Sequence, residues 1–208
     1  MIEVDNFDNL KYMLDFNDET KNVVLVWVVK RNKDGNTEVK GNNKNRTIKS
    51  YHFQKIEHLE DKREEIIELC RKFNCRAYIC VNAKPIVNVL FNLQSIVMEN
   101  LRNQISNGSC MLLNGMLDSA VMKAGTNGDK YWVVDIDSKD EEYISRVYET
   151  VKLCRSKFTY NIVKINSTAH GCHLITHPFD PRELHEAYPE VEIKKEGLTL
   201  LYAYLNEF

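Results

Sequence analysis

Residues Tyr131–Asp137, YWVVDID, open the part of the chain whose order of elements decides the fold. The apolar run ending in acids predicts a strand, and Ser138 is placed to cap the helix that follows. Beyond it the pattern predicts, in order, a helix at Lys139–Lys157, strands at Tyr160–Ile165 and Cys172–Thr176, a helix at Pro181–Tyr188 and a strand at Val191–Ile193. This order is that of a ferredoxin-like sheet of the RNA-recognition type.

The N-terminal part predicts a second α/β unit. A continuously apolar run at Val23–Lys30 is typical of a strand covered on both faces. The other predicted elements are helices at Asp5–Phe16, Glu57–Phe73 and Ala83–Ile105, strands at Thr47–Gln54 and Arg76–Val81, and a closing strand at Thr199–Tyr204. Pro85 falls in the first turn of the third helix, where proline is tolerated.

The predicted class is therefore α/β in the broad α+β sense, in a single domain of two halves. Residues 1–125 form the N-terminal α/β unit, and residues 126–208 form the RNA-recognition-like unit packed against it. The stretch NGSCMLLNGMLDSAVMKAGTNGDK, rich in Gly and Ser, is the predicted internal boundary.

Composition narrows the class of protein. With 208 residues, 28% charged and a net charge of −2, the chain has no overall basic field to attract nucleic acid, so such binding needs a local patch. No apolar run has the length of a membrane span, and the acidic N-terminus is unlike a signal peptide, so we expect a cytoplasmic protein without a membrane partner. The six cysteines include no CxxC pair, which favours free thiols over a zinc site.

The two carboxylates at the end of the YWVVDID strand are the first candidate site. Asp135 and Asp137 are two residues apart, so on a strand their side chains project from the same face. Paired carboxylates repel each other, and a hard cation such as Mg²⁺ or Mn²⁺ relieves that repulsion. A strand that ends in acids only to begin a turn is the structural alternative.

The segment NSTAHGCH, residues 166–173, is the second candidate site. A turn of small residues leading into a strand offers backbone N–H groups and the hydroxyls of Ser167 and Thr168 to a phosphate. His173 emerges at the start of the next strand. His177 is four residues further on, about 13 Å along a strand, so the two histidines are not expected to share an ion.

Together these two motifs resemble the archaeo-eukaryotic primase superfamily, which includes primase-polymerases and the polymerase domain of bacterial end-joining ligases. The resemblance rests on Asp-x-Asp at a strand end and on the later Gly171-Cys172-His173, within residues 131–193. It implies a catalytic core in which an N-terminal α/β unit meets an RNA-recognition-like unit, with the site between them.

The resemblance implies a role in DNA replication, with nucleic acid and nucleoside triphosphates as partners. Asp135 and Asp137 would bind Mg²⁺ or Mn²⁺ and His173 would contact phosphates, with Asp135, Asp137 and His173 catalytic. A third metal-binding acid is expected on a later strand, where Glu192 is the best match and Glu190 and Glu196 are rivals. The remaining candidates are Ser167, Thr168, Gly171 and Lys164 for the nucleotide and Arg76, Lys123 and Lys139 for nucleic acid.

Three alternatives remain at this point. The first is a non-catalytic nucleic-acid-binding module of the same fold, for which the basic loop RNKDGNTEVKGNNKNR is a further candidate contact. The second is a phosphodiesterase or other hydrolase in which histidines transfer protons. The third is a regulatory protein of a phage or another mobile element.

Overall fold

Two antiparallel sheets organise the chain in the computed structural model, which describes residues 1–16, 21–34, 45–107, 115–126 and 130–206. The first sheet has the strand order β1-β10-β4-β2-β3, and a short strand β5 also pairs with β2. Its strands are β1 (Ile2–Asp5), β2 (Asn22–Arg31), β3 (Asn45–Phe53), β4 (Arg76–Cys80), β5 (Lys84–Pro85) and β10 (Leu198–Leu205).

The second sheet follows the predicted β-α-β-β-α-β order. Its strands are β6 (Trp132–Ile136), β7 (Ile162–Ser167), β8 (Cys172–Thr176) and β9 (Glu192–Lys194), with helices α6 (Glu141–Leu153) and α7 (Arg182–Ala187) in the connections. The spatial order β7-β8-β6-β9 is antiparallel throughout. The described part of the chain is thus a mixed α+β protein with two antiparallel sheets.

Helices cover both faces of the first sheet, because successive side chains of a strand point in opposite directions. Val24, Val26 and Val28 of β2 pack in one core cluster with α3, while Val23 and Leu25 pack in another with α4 and α5. The helices of this half are α1 (Phe7–Leu10), α2 (Ile56–Asp61), α3 (Arg63–Phe73), α4 (Ile86–Asn107) and α5 (Met116–Lys123). The predicted covering of this strand on both faces is confirmed.

Several boundaries differ from the sequence prediction. The helix predicted at Asp5–Phe16 is shorter, since it consists of α1 and a 3-10 turn at Lys11–Met13. It is preceded by a strand that was not predicted, β1, which forms because Ile2–Asp5 pairs with β10, far away in the chain. The predicted helix at 57–73 is two helices that meet at Lys62, and Pro85 lies in β5 before α4 begins. Helix α5 lies within the predicted linker, and much of the basic loop falls at residues 35–44, outside the described ranges.

The second sheet packs against the first on one face and against its own helices on the other. Val133 and Ile175 belong to the same core cluster as the first sheet, whereas Val134, Ile136 and Leu174 pack with α6 and α7. Asp135 follows Val134 in β6 and is paired with His173 on β8. By alternation, both side chains therefore project from the face that meets the first sheet.

The two sheets are also joined through Asn82, which is buried after β4. Its side-chain amide donates to the carbonyl oxygen of Tyr131 at 2.7 Å, and its side-chain oxygen accepts from the Tyr131 backbone N–H at 2.7 Å. The amide thus pairs with Tyr131 much as a neighbouring strand would. The start of β6 is fixed against the first sheet by this pair of bonds.

Within the described ranges, no helix is both long enough and apolar enough to cross a bilayer.

Gly171 sets how closely the β7–β8 turn approaches the end of β6. A Cβ atom added at this position would lie 2.0 Å from the carbonyl oxygen of Ile136 and 2.7 Å from that of Ser138. Both neighbours are backbone atoms, so they have no flexible side chain that could move aside. The turn that precedes His173 therefore requires glycine.

We predict that Gly171→Ala lowers the free energy of unfolding by about 3 kcal/mol, because the added methyl group forces the turn away from β6. Gly125→Ala is the matched control, since a Cβ there meets nothing within 4 Å. Its effect should stay within about 0.5 kcal/mol. Urea denaturation of both variants measures this difference, and equal stabilities would contradict the role given to Gly171.

Candidate functional site

A row of four polar side chains crosses the second sheet. Asn166 on β7 is paired with His173 on β8, His173 with Asp135 on β6, and Asp135 with Glu192 on β9. Residues directly opposite each other in a sheet project from the same face. The row therefore runs along the face that meets the first sheet, from buried Asn166 to exposed Glu192.

His173 is held at both ring nitrogens. Its Nδ1 lies 2.8 Å from the hydroxyl of Thr199 on β10 and 3.4 Å from the backbone N–H of Leu200, which can only donate. Its Nε2 lies 3.1 Å from Oδ1 of Asp135. Nδ1 therefore accepts and Nε2 carries the proton that is donated to the carboxylate.

Asn166 completes this arrangement from the other side of Thr199. Its side-chain amide donates to the Thr199 hydroxyl at 3.0 Å and to the carbonyl oxygen of Leu200 at 2.7 Å. Asn166, His173 and Thr199 are all buried. Their mutual bonds fix the imidazole in one orientation without solvent.

Asp135 carries the negative charge at the centre of the row. Burial by itself would raise the pKa of its carboxyl, but the hydrogen bonds from His173 and Lys194, together with the charge of Lys194, outweigh burial and hold the pKa well below its ordinary value. Lys194 binds Oδ2 of Asp135 and lies 3.9 Å from a carboxylate oxygen of Glu192. Its ammonium group thus stands between the two acids.

The row borders a small polar cavity between the two sheets. The cavity has a volume of about 30 Å³, which is room for about one water molecule. It is lined by Arg31, Arg76, Tyr78, Asp135, Asp137, Thr168, His173, Lys194 and Leu200. The cavity thus brings together four predicted site residues that follow or belong to the second sheet, namely Asp135, Asp137, Thr168 and His173. On the side of the first sheet it is lined by Arg31 and by Arg76, of which Arg76 was also predicted.

A larger cavity of about 340 Å³ adjoins the first on the side of Asp137. Its acidic lining consists of Asp135, Asp137, Asp140 and Glu190, together with Ser138, Tyr143 and Val191. Asp135 and Asp137 line both cavities. Asp140, rather than Ser138, accepts a hydrogen bond from a backbone N–H of α6, so the predicted helix cap lies two residues later.

The two arginines on the first-sheet wall contact different side chains. Arg76 forms a two-pronged ion pair with Asp34, at 2.9 Å from Nε and 2.6 Å from Nη2, and both side chains are buried. Arg31 donates to the hydroxyl of Tyr78 at 2.7 Å. Burial alone would lower the pKa of Arg31, but Tyr78, Asp34 and Asp135 raise it.

The turn between β7 and β8 contributes a hydroxyl to the small cavity. The backbone N–H of Thr168 donates to the carbonyl oxygen of Gly171 at 3.0 Å, which closes the turn. The Oγ1 atom of Thr168 is buried and has no hydrogen-bond partner among the described residues. A buried hydroxyl without a partner costs stability, which favours a role in binding a ligand.

No protein-family model, curated protein or solved structure matches this chain.

The structure leaves other predicted residues outside the small cavity. Ser167 is exposed and is paired with Cys172, whose side chain packs on the helix side of the sheet. Lys164 lies on edge strand β7, and Lys123 and Lys139 are exposed on α5 and after β6. Three acids were considered for the third metal-binding position, and of these Glu192 is the one paired with Asp135. Glu190 binds Tyr143 and Glu196 binds Lys130.

Sequence reasoning missed Tyr78, Lys194 and Thr199, and it named Arg31 only as part of the basic loop. Lys194 carried a usable signal, because it follows Glu192 by two residues and therefore shares its face on a strand. Arg31, Tyr78 and Thr199 belong to the first sheet, and only the packing of the two sheets brings them to this site.

The acidic side chains of the site surround a lysine, Lys194. Asp135, Asp137 and Glu192 supply carboxylate oxygens, the ligands that Mg²⁺ and Mn²⁺ prefer. In the described parts of the chain, no three His, Cys, Asp or Glu side chains form a group that could hold a metal ion. Binding at these acids therefore requires Lys194 to leave Asp135.

We predict that Asp135→Asn lowers the free energy of unfolding at neutral pH by about 1–3 kcal/mol, because His173 and Lys194 lose their charged partner. Asp137→Asn is the matched control, since Asp137 is exposed. The pKa of Asp135 is depressed in the folded protein, so its stabilisation is complete above the ordinary value of 3.8 and is lost as the pH falls towards the folded value. Urea denaturation from pH 7 to pH ~2 should show the gap between wild type and Asp135→Asn narrowing below pH ~4.

Proposed function

We propose that this protein is a metal-dependent nucleotidyltransferase of the primase-polymerase type, which adds nucleotides from nucleoside triphosphates to a nucleic-acid strand and releases pyrophosphate. The observation that carries the proposal is the row His173–Asp135–Glu192 on adjacent strands, facing a cavity whose opposite wall holds Arg31 and Arg76. Two acids, an imidazole and cationic side chains at one place suit a substrate with a metal-bound triphosphate.

The element order supports the same proposal. The motif residues lie on a β-α-β-β-α-β sheet that packs against an N-terminal α/β unit, and the candidate site lies between the two sheets. The superfamily that the sequence resembles is expected to have this arrangement. The proposal further assigns the third acidic position to Glu192, because it is directly opposite Asp135.

Asp135, Asp137 and Glu192 would hold Mg²⁺ or Mn²⁺. The bound ion would neutralise phosphate charge and make the attacking hydroxyl more acidic. The protein's own groups would then position the triphosphate. Thr168 would present its buried hydroxyl and Arg31 a cationic group from the facing sheet. His173 donates its Nε2 proton to Asp135, so it would contact a phosphate only once Asp135 turns to the metal ion.

A second candidate function is non-catalytic binding of nucleotides or nucleic acid at the same cavity. The observation that favours it is Lys194, whose ammonium group already neutralises Asp135. Such a site would need no metal ion. Proton transfer by His173, as a hydrolase would require, is less well supported, because the side chain is 3% exposed and both ring nitrogens are bonded.

We predict that the wild-type protein incorporates labelled nucleotides on a primed template in the presence of Mn²⁺. Asp135→Ala and Asp137→Ala should each reduce incorporation at least about a hundredfold, because each removes an oxygen ligand. Asp61→Ala is the matched control, since it removes an exposed carboxylate on α2 and should leave the rate unchanged.

Two outcomes separate the candidate functions. Salt-sensitive nucleic-acid binding that persists in Asp135→Ala, without incorporation by the wild type, would favour the non-catalytic module. A wild-type protein with neither nucleotide binding nor product would end the proposal.

Lys194 allows a test of the metal site that does not depend on activity. We predict that Lys194→Ala tightens Mn²⁺ binding by about tenfold, because the competing ammonium is removed from Asp135. Lys195→Ala is the matched control, since Lys195 lies over the ring of Trp132 at 5.1 Å and is not among the residues that line the cavity. Isothermal titration calorimetry measures both affinities. Weaker binding in Lys194→Ala than in Lys195→Ala would show that Lys194 is not a competitor.

A further inference from the structure

Helix α4 presents an apolar stripe to its surroundings. Val87, Leu90, Phe91, Met98 and Leu101 are between 46% and 65% exposed. Other apolar residues of the same helix, including Ile86, Val89, Leu93 and Ile96, pack against the first sheet and α5. The helix is therefore apolar on two sides, a pattern typical of a helix that is covered on both.

The stripe also lacks the charges that this chain places on its other exposed helices. The 22 residues of α4 include two charged side chains, Glu99 and Arg102, whereas the 11 residues of α3, REEIIELCRKF, include six. A neutral surface offers little to select a charged partner. It suits another neutral, apolar surface of similar shape.

The order of residues along the stripe is symmetric about Gln94. Val87 and Leu101 lie seven residues on either side of it, Leu90 and Met98 lie four, and Phe91 and Val97 lie three. Apolar positions thus match apolar positions when the stripe is read in either direction. A two-fold interface requires such a self-complementary surface, since each copy contributes the same residues.

We infer that this protein forms a homodimer in which the α4 helices of two copies pack antiparallel, with the two-fold axis at Gln94. Val87 of one copy then lies against Leu101 of the other, and Phe91 lies against Val97. The two Gln94 amides meet at the axis, where each can donate to and accept from the other. One polar residue within an apolar helix seam is a known means of fixing register.

The exposed area is adequate for a dimer of moderate affinity. The five side chains of the stripe and the neighbouring Leu117 of α5, each roughly half exposed, offer on the order of 600 Å² per copy, towards the roughly 800 Å² of a standard interface. We therefore expect dissociation in the micromolar range. The dimer is independent of the nucleotide-transfer proposal, because none of these residues lines either cavity beside Asp135.

Sedimentation equilibrium of the full chain between ~1 and ~100 µM tests the dimer. The wild type should dimerise, and Phe91→Glu and Gln94→Glu should each weaken the dimer at least about tenfold by placing carboxylates in the interface. Both residues are exposed in the single chain, so circular dichroism, and thermal melting at concentrations where the wild type is a monomer, should be unchanged. Tyr12→Glu, at an aromatic residue that is 80% exposed away from α4, should leave the dimer intact.

Disulfide formation tests the antiparallel direction. In a Cys110→Ser background, where the five remaining cysteines are buried, Gln94→Cys should form a symmetric disulfide between copies under mild oxidation. Val87→Cys alone should not, since the two residues would lie about 21 Å apart along the helices. A mixture of Val87→Cys and Leu101→Cys chains should form a mixed disulfide. A monomer at all concentrations, a dimer that Phe91→Glu does not weaken, or a symmetric Val87→Cys disulfide would overturn the inference.

Discussion

The hydrogen bonds of His173 are the interaction on which the geometry of the candidate site depends. The imidazole lies in the second sheet, but its Nδ1 is bound by Thr199 and Leu200 of the first sheet. Its other nitrogen is thereby directed at Asp135. The orientation of the central carboxylate is therefore linked to the packing of the two sheets, since a shift between them would break the bond to Thr199.

This link explains why the polar row is stable inside a protein core. The side chains of Asn166, Thr199 and His173 form hydrogen bonds with one another, so few of their polar atoms are left without a partner. A protein core tolerates buried polar groups when they are hydrogen-bonded in this way. The charge of Asp135 is balanced by Lys194 in the same way. The Thr168 hydroxyl is the exception in this neighbourhood, and it lies at the cavity rather than in the closed network.

The local pattern of the sequence was sufficient to predict the strands of the second sheet. It was not sufficient to predict which residues meet at the site. Alternation and turn residues predicted β6, β7 and β8 nearly at their observed bounds. Residue spacing predicted that Asp135 and Asp137 lie close together, and both line the same two cavities, although Asp137 lies just beyond the end of β6. The pairing of Asp135 with His173 rests on register, which a single strand does not encode. Thr199 and Arg31 reach the site from the other sheet, and no local pattern reports such a contact.

The position of β10 has a consequence for synthesis of the protein. This strand, Leu198–Leu205, lies between β1 and β4, so among the described strands β1 has no neighbour until β10 has been made. The second sheet lies entirely between them in sequence and can assemble earlier on the ribosome. Closing the first sheet then brings together residues about two hundred positions apart, a pairing of very high contact order. A chain truncated before β10 would have open edges at β1 and β4, and its imidazole at His173 would lack the Thr199 hydroxyl that orients it.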